Sequence, residues 1–183
     1  MTYIRHTESE IQSLKEDITA LKREKDAIIL AHNYQRPEIY DIADKIGDSL
    51  ELSLAARDAR AECIIFCGVD FMAETAKILS PDARVYLPAE DTQCPMAHMV
   101  SESDIFSLKE QYPDADVVSY VNTSASTKAL SDICCTSANA VEVVKSVNGD
   151  ILFIPDKNLG HYVRTMTGAP VTLWEGYCYV HNF

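Results

Sequence analysis

The hydrophobic pattern of this chain changes period near residue 26. Before that point Ile11, Leu14, Ile18 and Leu21 recur three or four apart in a charged stretch, which predicts an amphipathic helix over 8–25. After it come short apolar runs at 27–31, 63–67, 84–87, 116–121, 132–136, 151–154 and 171–174, which read as strands. Helical patterns separate most of them, at 38–46, 49–60, 71–79, 103–111, 138–147 and 157–167. Pro37 before Glu38, Asp70 before an apolar-periodic stretch and Asn139 before Ala140 are start signals. Alternating strands and helices imply parallel sheets covered on both faces. The expected fold class is α/β, with repeated, pseudo-symmetric three-layer αβα domains on short parallel sheets.

The pattern also repeats. Ile64 to Asp70 and Ile151 to Lys157 share an apolar run, a Gly or Pro, an Asp and a following helix, and Asp156 lies 86 positions after Asp70 (156 − 70). Each copy reaches a cysteine followed by a histidine: Cys94 and His98, then Cys178 and His181, the cysteines 84 apart (178 − 94). A unit of this size is a small domain rather than a solenoid repeat. The expected layout is an N-terminal helix (1–26), a first αβα domain with the Cys94 loop (27–102) and a second with the Cys178 loop (103–183).

A chain of 183 residues accommodates two small domains, and 47% hydrophobic residues suit packed cores. The formal net charge of −12 argues against nucleic acid and anionic membranes as partners. The N-terminus shows no signal-peptide pattern and no apolar run suffices to span a membrane, so a cytoplasmic location is expected. Six cysteines in such a protein point to thiols or metal ligands rather than disulfides. Cys63, Cys67, Cys134 and Cys135 fall in predicted strands and read as buried thiols; Cys94 and Cys178 fall in loops suited to ligation. No paired C-x2-C pattern supports a structural zinc.

In open α/β sheets, sites form where strands end and helices begin. His32, Asn33 and Tyr34 end the first strand, and His32 and Tyr34 alternate along an extended segment, so both can face one way. Ser49 and Ser137 fall at predicted helix starts. Each is either an N-cap or a holder of phosphate or carboxylate at the helix dipole. His98 and His181 are candidates for a metal ligand, a partner of one, or a substrate contact.

Ile29-Leu30-Ala31-His32-Asn33-Tyr34-Gln35, Gly47-Asp48-Ser49-Leu50, Gly68-Val69-Asp70-Phe71-Met72-Ala73-Glu74-Thr75, Cys94-Pro95-Met96-Ala97, Tyr120-Val121-Asn122, Thr136-Ser137-Ala138-Asn139, Pro155-Asp156-Lys157-Asn158-Leu159 and Gly176-Tyr177-Cys178-Tyr179-Val180-His181 together resemble the quinolinate synthase family, from about residue 27 to the last. The resemblance implies three similar α/β domains about a pseudo-threefold axis, each giving one cysteine to a [4Fe-4S] cluster whose fourth iron acts on substrate. It implies condensation of iminoaspartate with dihydroxyacetone phosphate to quinolinate in NAD biosynthesis, with L-aspartate oxidase supplying iminoaspartate. Cys94 and Cys178 would be two cluster ligands and Tyr34 the proton-transfer residue, assisted by His32. His32, Ser49, Tyr120, Asn122, Ser137 and His181 would line the pocket. The third domain and third cysteine ligand are not in this sequence, so the expectation is a fragment inactive alone. A non-catalytic phosphometabolite-binding module and an iron-sulfur redox sensor are the alternatives.

Overall fold

Helix α1 (Glu8–Glu24) begins at a capping box, in which the Thr7 hydroxyl accepts from the Glu10 amide and the Glu10 carboxylate accepts from the Thr7 amide. The coordinates are a computed structural model that describes residues 6–180. No α1 residue is fully buried, yet Ile18 packs on a small cluster of Ile29, Ala31, Ile42 and Cys67. Two lysines tie the helix to residues 41–44, Lys15 on Asp41 at 2.5 Å and Lys22 on Asp44 at 2.8 Å.

The chain divides between Thr92 and Gln93 into two compact bodies, so the Cys94 loop packs with the second, upstream of the boundary expected at 102. The first body holds strands β1 (Ala27–His32), β2 (Lys45–Gly47), β3 (Cys63–Cys67) and β4 (Arg84–Tyr86), with helices α2 (Pro37–Tyr40), α3 (Ser49–Asp58) and α4 (Asp70–Leu79). Its four strands are all parallel, in the order β2-β1-β3-β4.

The second body opens with a 3-10 turn at Pro95–His98. It continues with α5 (Glu102–Gln111), β5 (Asp116–Tyr120), α6 (Ala125–Ala129), β6 (Ile133–Cys135), α7 (Ala140–Ser146), β7 (Ile151–Ile154), α8 (Lys157–Thr167) and β8 (Val171–Leu173). Its parallel order, β6-β5-β7-β8, repeats that of the first. Alternation along the strands builds three layers. Val118, Ile151 and Phe153 pack with Val144 of α7 and Val163 of α8; Val117, Leu152 and Ile154 pack on the other face with Ile105 of α5. A central strand buried on both faces must be apolar throughout, and all of β7 is buried.

The edge strands β2 and β6 are three residues long, and each is held by an aspartate just before it. The Asp44 amide donates to the Ile29 carbonyl and its carboxylate accepts from the Ile29 amide, both at 2.8 Å. Asp132 does the same to Val117, at 3.0 and 2.8 Å. Each carboxylate also meets a lysine of a preceding helix, Lys22 or Lys109.

This arrangement explains why 38–46 is not one helix. Helix α2 is a single turn, because Asp44 is drawn to β1 and residues 45–47 become strand β2 instead. Strand β2 and helix α6 escape the sequence pattern, each being too short to show a period. Cys134 corrects a second expectation: it is exposed, whereas Cys63, Cys67 and Cys135 are buried. Neighbouring strand residues face opposite sides, and only the Cys135 side of this edge strand is covered. Asp70 and Asp156 are also one position out of step. Val69 caps α4, so Asp70 is its first residue, whereas Asp156 itself caps α8 through the amides of Asn158 and Leu159.

Gly160 tests the packing of α8 on its sheet. A methyl there would meet Leu173 Cδ2 at 2.6 Å and Phe153 Cδ1 at 2.8 Å. Overpacking of this kind costs about 1–3 kcal/mol, against roughly 1 kcal/mol of helix propensity gained from alanine. Gly160→Ala is expected to lower the urea midpoint, and Gly160→Ala with Leu173→Val to recover part of the loss.

Candidate active site at the strand ends

Because the strands of each body are parallel, their C-terminal ends lie on one edge, and there the structure places the candidate side chains. In the first body β1 ends at His32, whose ring meets that of Tyr34 edge-on at 4.6 Å. Tyr34 is 77% exposed, so its hydroxyl is presented to solvent. The turn beneath them is fixed by the Tyr40 hydroxyl donating to the Asn33 carbonyl and by the Asn33 amide donating to the Gly47 carbonyl. Burial holds the His32 ring below its ordinary pKa, with Asp48 pulling the other way.

Sequence reasoning placed Asp48 at the opening of α3 without giving it the cap, although Asp followed three residues later by Glu51 is an N-terminal capping signature. It caps α3, and its carboxylate accepts from the amides of Leu50 and Glu51 at 2.9 Å. Ser49 is therefore the first helical residue rather than the cap. Two of the amides that could have faced an anion are occupied by Asp48, which leaves Ser49 to act through its own hydroxyl and amide.

In the second body β5 ends at Tyr120. Its phenol is pushed up to about 12, chiefly by burial, with Asp156, Cys178 and Cys135 adding to the effect and a hydrogen bond from Ser137 opposing it. Tyr120 is thus a neutral donor at physiological pH, set beside Ser137 and within electrostatic range of Cys178. Ser137 is exposed and lies three residues ahead of α7, not at its start. Asn139 closes this turn, its Oδ1 accepting from the Thr136 amide at 2.7 Å and hydroxyl at 3.1 Å. Two residues past Tyr120, the Oδ1 of Asn122 is buried without a hydrogen-bond partner. A buried acceptor left unsatisfied is costly, and a ligand donor would relieve it.

These positions match between the bodies. His32 and Tyr120, Ser49 and Ser137, and Asp44 and Asp132 are each 88 positions apart (120 − 32, 137 − 49, 132 − 44). The same offset sets Tyr34 against Asn122. The repeat expected from the cysteine loops is thus also carried by the strand-end residues.

Cys94 and Cys178 are half-buried cysteines, each in a loop of the second body. Those loops are joined: the Trp174 indole donates to the Met99 carbonyl at 2.8 Å, and the Tyr177 amide meets the Met99 sulfur at 3.5 Å. The Cys178 loop is also seated on Pro155 and Lys157. The Lys157 amide donates to the Gly176 carbonyl at 2.8 Å, and a Cβ on Gly176 would come within 2.4 Å of the Pro155 carbonyl. Among the described residues no group of three or more His, Cys, Asp and Glu could hold a metal ion. The two loop thiols can supply part of a thiolate ligand set. Cys63, Cys67 and Cys135 are buried residues of strands, where burial raises the Cys67 thiol and takes that of Cys135 to about 12. His98 is exposed at the end of the 3-10 turn, and His181 lies outside the described residues. No described helix is long and apolar enough to cross a membrane.

The His32 environment has a measurable consequence. Its folded pKa is below the ordinary 6.5, so between the two values the unfolded chain binds more protons. Stability from this group is complete above about 6.5 and is lost as pH falls through the folded value. An NMR titration is expected to place the His32 midpoint below the ordinary histidine value, and His32→Gln to flatten the acid side of the stability profile.

The sequence model described as Quinolinate synthetase A protein matches residues 16–183. The chain is 57% identical over 170 residues to a quinolinate synthase of Methanoregula boonei, covering 92% of this chain and 56% of that protein. It is 54% identical to one of Clostridium acetobutylicum over 93% of this chain and 57% of the relative. With that of Pyrococcus furiosus the identity is 51%, over 94% and 58%. The chain thus spans little more than half the length of the curated relatives it matches. On a match reaching from α1 to the last residue, this chain belongs to the quinolinate synthetase A protein family.

Proposed function

We propose that this chain supplies two bodies of a quinolinate synthase, which condenses iminoaspartate with dihydroxyacetone phosphate to form quinolinate for NAD biosynthesis. The observation that carries this reading is the set at the ends of the second sheet: the neutral, half-buried Tyr120 phenol, which feels the Cys178 thiol, Ser137 hydrogen-bonded to that phenol, and the unpartnered buried amide oxygen of Asn122 two residues on. Such a set binds a polar, anionic small molecule through oriented donors and acceptors. It needs no basic surface, which suits a chain of net charge −12.

Tyr34, exposed and against the His32 ring, transfers protons during dehydration and imine rearrangement, and neutral His32 can accept one or hydrogen-bond a carboxylate. Ser49 and Ser137 donate to phosphate or carboxylate oxygens. Tyr120 donates from its phenol, and the Asn122 side chain positions a substrate hydroxyl or amine. His181 is assigned to the pocket as well. Cys94 and Cys178 would hold two corners of a [4Fe-4S] cluster, with a third cysteine from outside this chain. Such a cluster, with one iron free of protein ligands, supplies a Lewis acid for hydroxyl or carboxylate oxygen. L-aspartate oxidase is the proposed source of iminoaspartate, and a cytoplasmic location accords with reduced thiols.

The 183-residue chain reconstituted anaerobically with iron and sulfide is expected to fold and to form no quinolinate, because it offers two loop thiols where three are needed. Turnover matching that of a full-length relative would overturn the ligand assignment. In a full-length version, Tyr34→Phe is expected to lower turnover by about 10² or more while binding persists; unchanged turnover would remove Tyr34 from the mechanism. Ser49→Ala and Ser137→Ala are expected to weaken binding in preference to turnover. If dihydroxyacetone phosphate binds but no cluster assembles even at full length, the chain is a phosphometabolite-binding module. A cluster without product would make it a redox sensor.

A further inference from the structure

The two aspartate clamps have no chemistry of their own to perform, since each is spent on backbone groups and a lysine. Their position in the chain is what matters. Asp44 engages both backbone groups of Ile29, three residues before His32, and immediately precedes β2, which ends two residues before Ser49. Asp132 engages both backbone groups of Val117, three residues before Tyr120, and immediately precedes β6, which ends two residues before Ser137. A strand of three residues makes few ladder bonds, and a slip of one residue would turn its side chains to the other face. The clamp adds a charge-assisted bond at the one point where register is set.

We propose that Asp44 and Asp132 are positioning residues, one in each body, that fix the spacing between the two strand ends carrying His32 with Ser49 and Tyr120 with Ser137. The inference rests on the proposed site assignment, and it extends that assignment to two residues that touch no substrate. Within each clamp the amide-to-carboxylate bond does the positioning. The lysine contact is secondary, because Lys22 and Lys109 meet partly exposed carboxylates in screened pairs.

The test separates register from general stability by placing one probe in each body of the intact chain. The first is the NMR titration midpoint of His32. The second is the alkylation rate of Cys135, which lies buried on β6 opposite Tyr120 and is followed by peptide mass spectrometry. Asp44→Ala is expected to raise the His32 midpoint toward its ordinary value and leave Cys135 protected. Asp132→Ala is expected to speed Cys135 alkylation about tenfold, a bond to a charged group being lost, and leave His32 unmoved. Asp44→Asn and Asp132→Asn keep an acceptor for the amide and should restore most of each signal, while Lys22→Met and Lys109→Met should change little. Both probes moving together in either alanine variant, or asparagine failing to rescue, would show general loosening and overturn the proposal.

Calorimetry with dihydroxyacetone phosphate distinguishes failure of the clamps from failure of the functional reading. If the unsubstituted full-length protein binds it, each alanine variant should bind more weakly and each asparagine variant nearly normally. If the unsubstituted protein does not bind it, the functional reading fails, and the two local probes still decide the clamps.

Discussion

A carboxylate that takes a backbone amide of the neighbouring strand, while its own amide takes the same residue's carbonyl, is the constraint on which much else in each body depends. Short parallel edge strands have little to hold them: three residues, one neighbour, and an outer edge open to water. Fixing the residue before the strand converts that weak element into a defined continuation of the sheet. The lysine from a preceding helix adds a contact, but a half-exposed ion pair contributes little by itself. The amide held by an ionised oxygen is the stronger bond, and it determines where the following loop emerges.

Parallel strands bring every such loop to the same edge of its sheet, so a repeated αβα body collects its polar strand-end residues without further design. Of those residues in the second body, Tyr120 and Asn122 are partly buried, Tyr120 kept neutral and Asn122 keeping an unmatched oxygen, while Ser137 is displayed, exposed, by a turn closed by Asn139. In the first they are more open, with Tyr34 outermost and His32 beneath it. The same scaffold thus provides a half-buried phenol and amide in one body and, in the other, a half-buried imidazole under an exposed phenol. The Cys178 loop is seated on the backbone next to Asp156, whose carboxylate caps α8 and lies in the electrostatic surroundings of Tyr120.

Anionic substrates and an acidic chain are compatible when recognition is local. Several helix starts are already capped by side chains of the protein, Asp48 on α3 and Asp156 on α8 among them, so a free helix dipole is not the device it first suggests. Hydroxyls, a phenol and an amide, each oriented by its place at a strand end, can do this work without a positive field.

Much of this was legible in the sequence. The long-period helix, the central strands and their apolar runs, the α/β class and the repeat all follow from patterns set by burial, which a sequence states directly. The strand-end residues could be named because polar side chains directly after apolar runs are conspicuous. What the tertiary structure decided was short-range and depended on partners distant in sequence. Residues 38–46 carry a helical pattern, yet the bond from Asp44 to Ile29 ends the helix after one turn and makes a strand of 45–47. Cys134 and Cys135 look alike in sequence, and only the covering of one face of an edge strand separates them. Ser49 and Ser137 look like caps, but Asp48 and a turn closed by Asn139 take the capping positions. For 38–46 and for the two cysteines, local propensity was weak over a few residues and packing from elsewhere in the body decided the outcome; for the serines a neighbour one or two residues away, Asp48 or Asn139, took the cap.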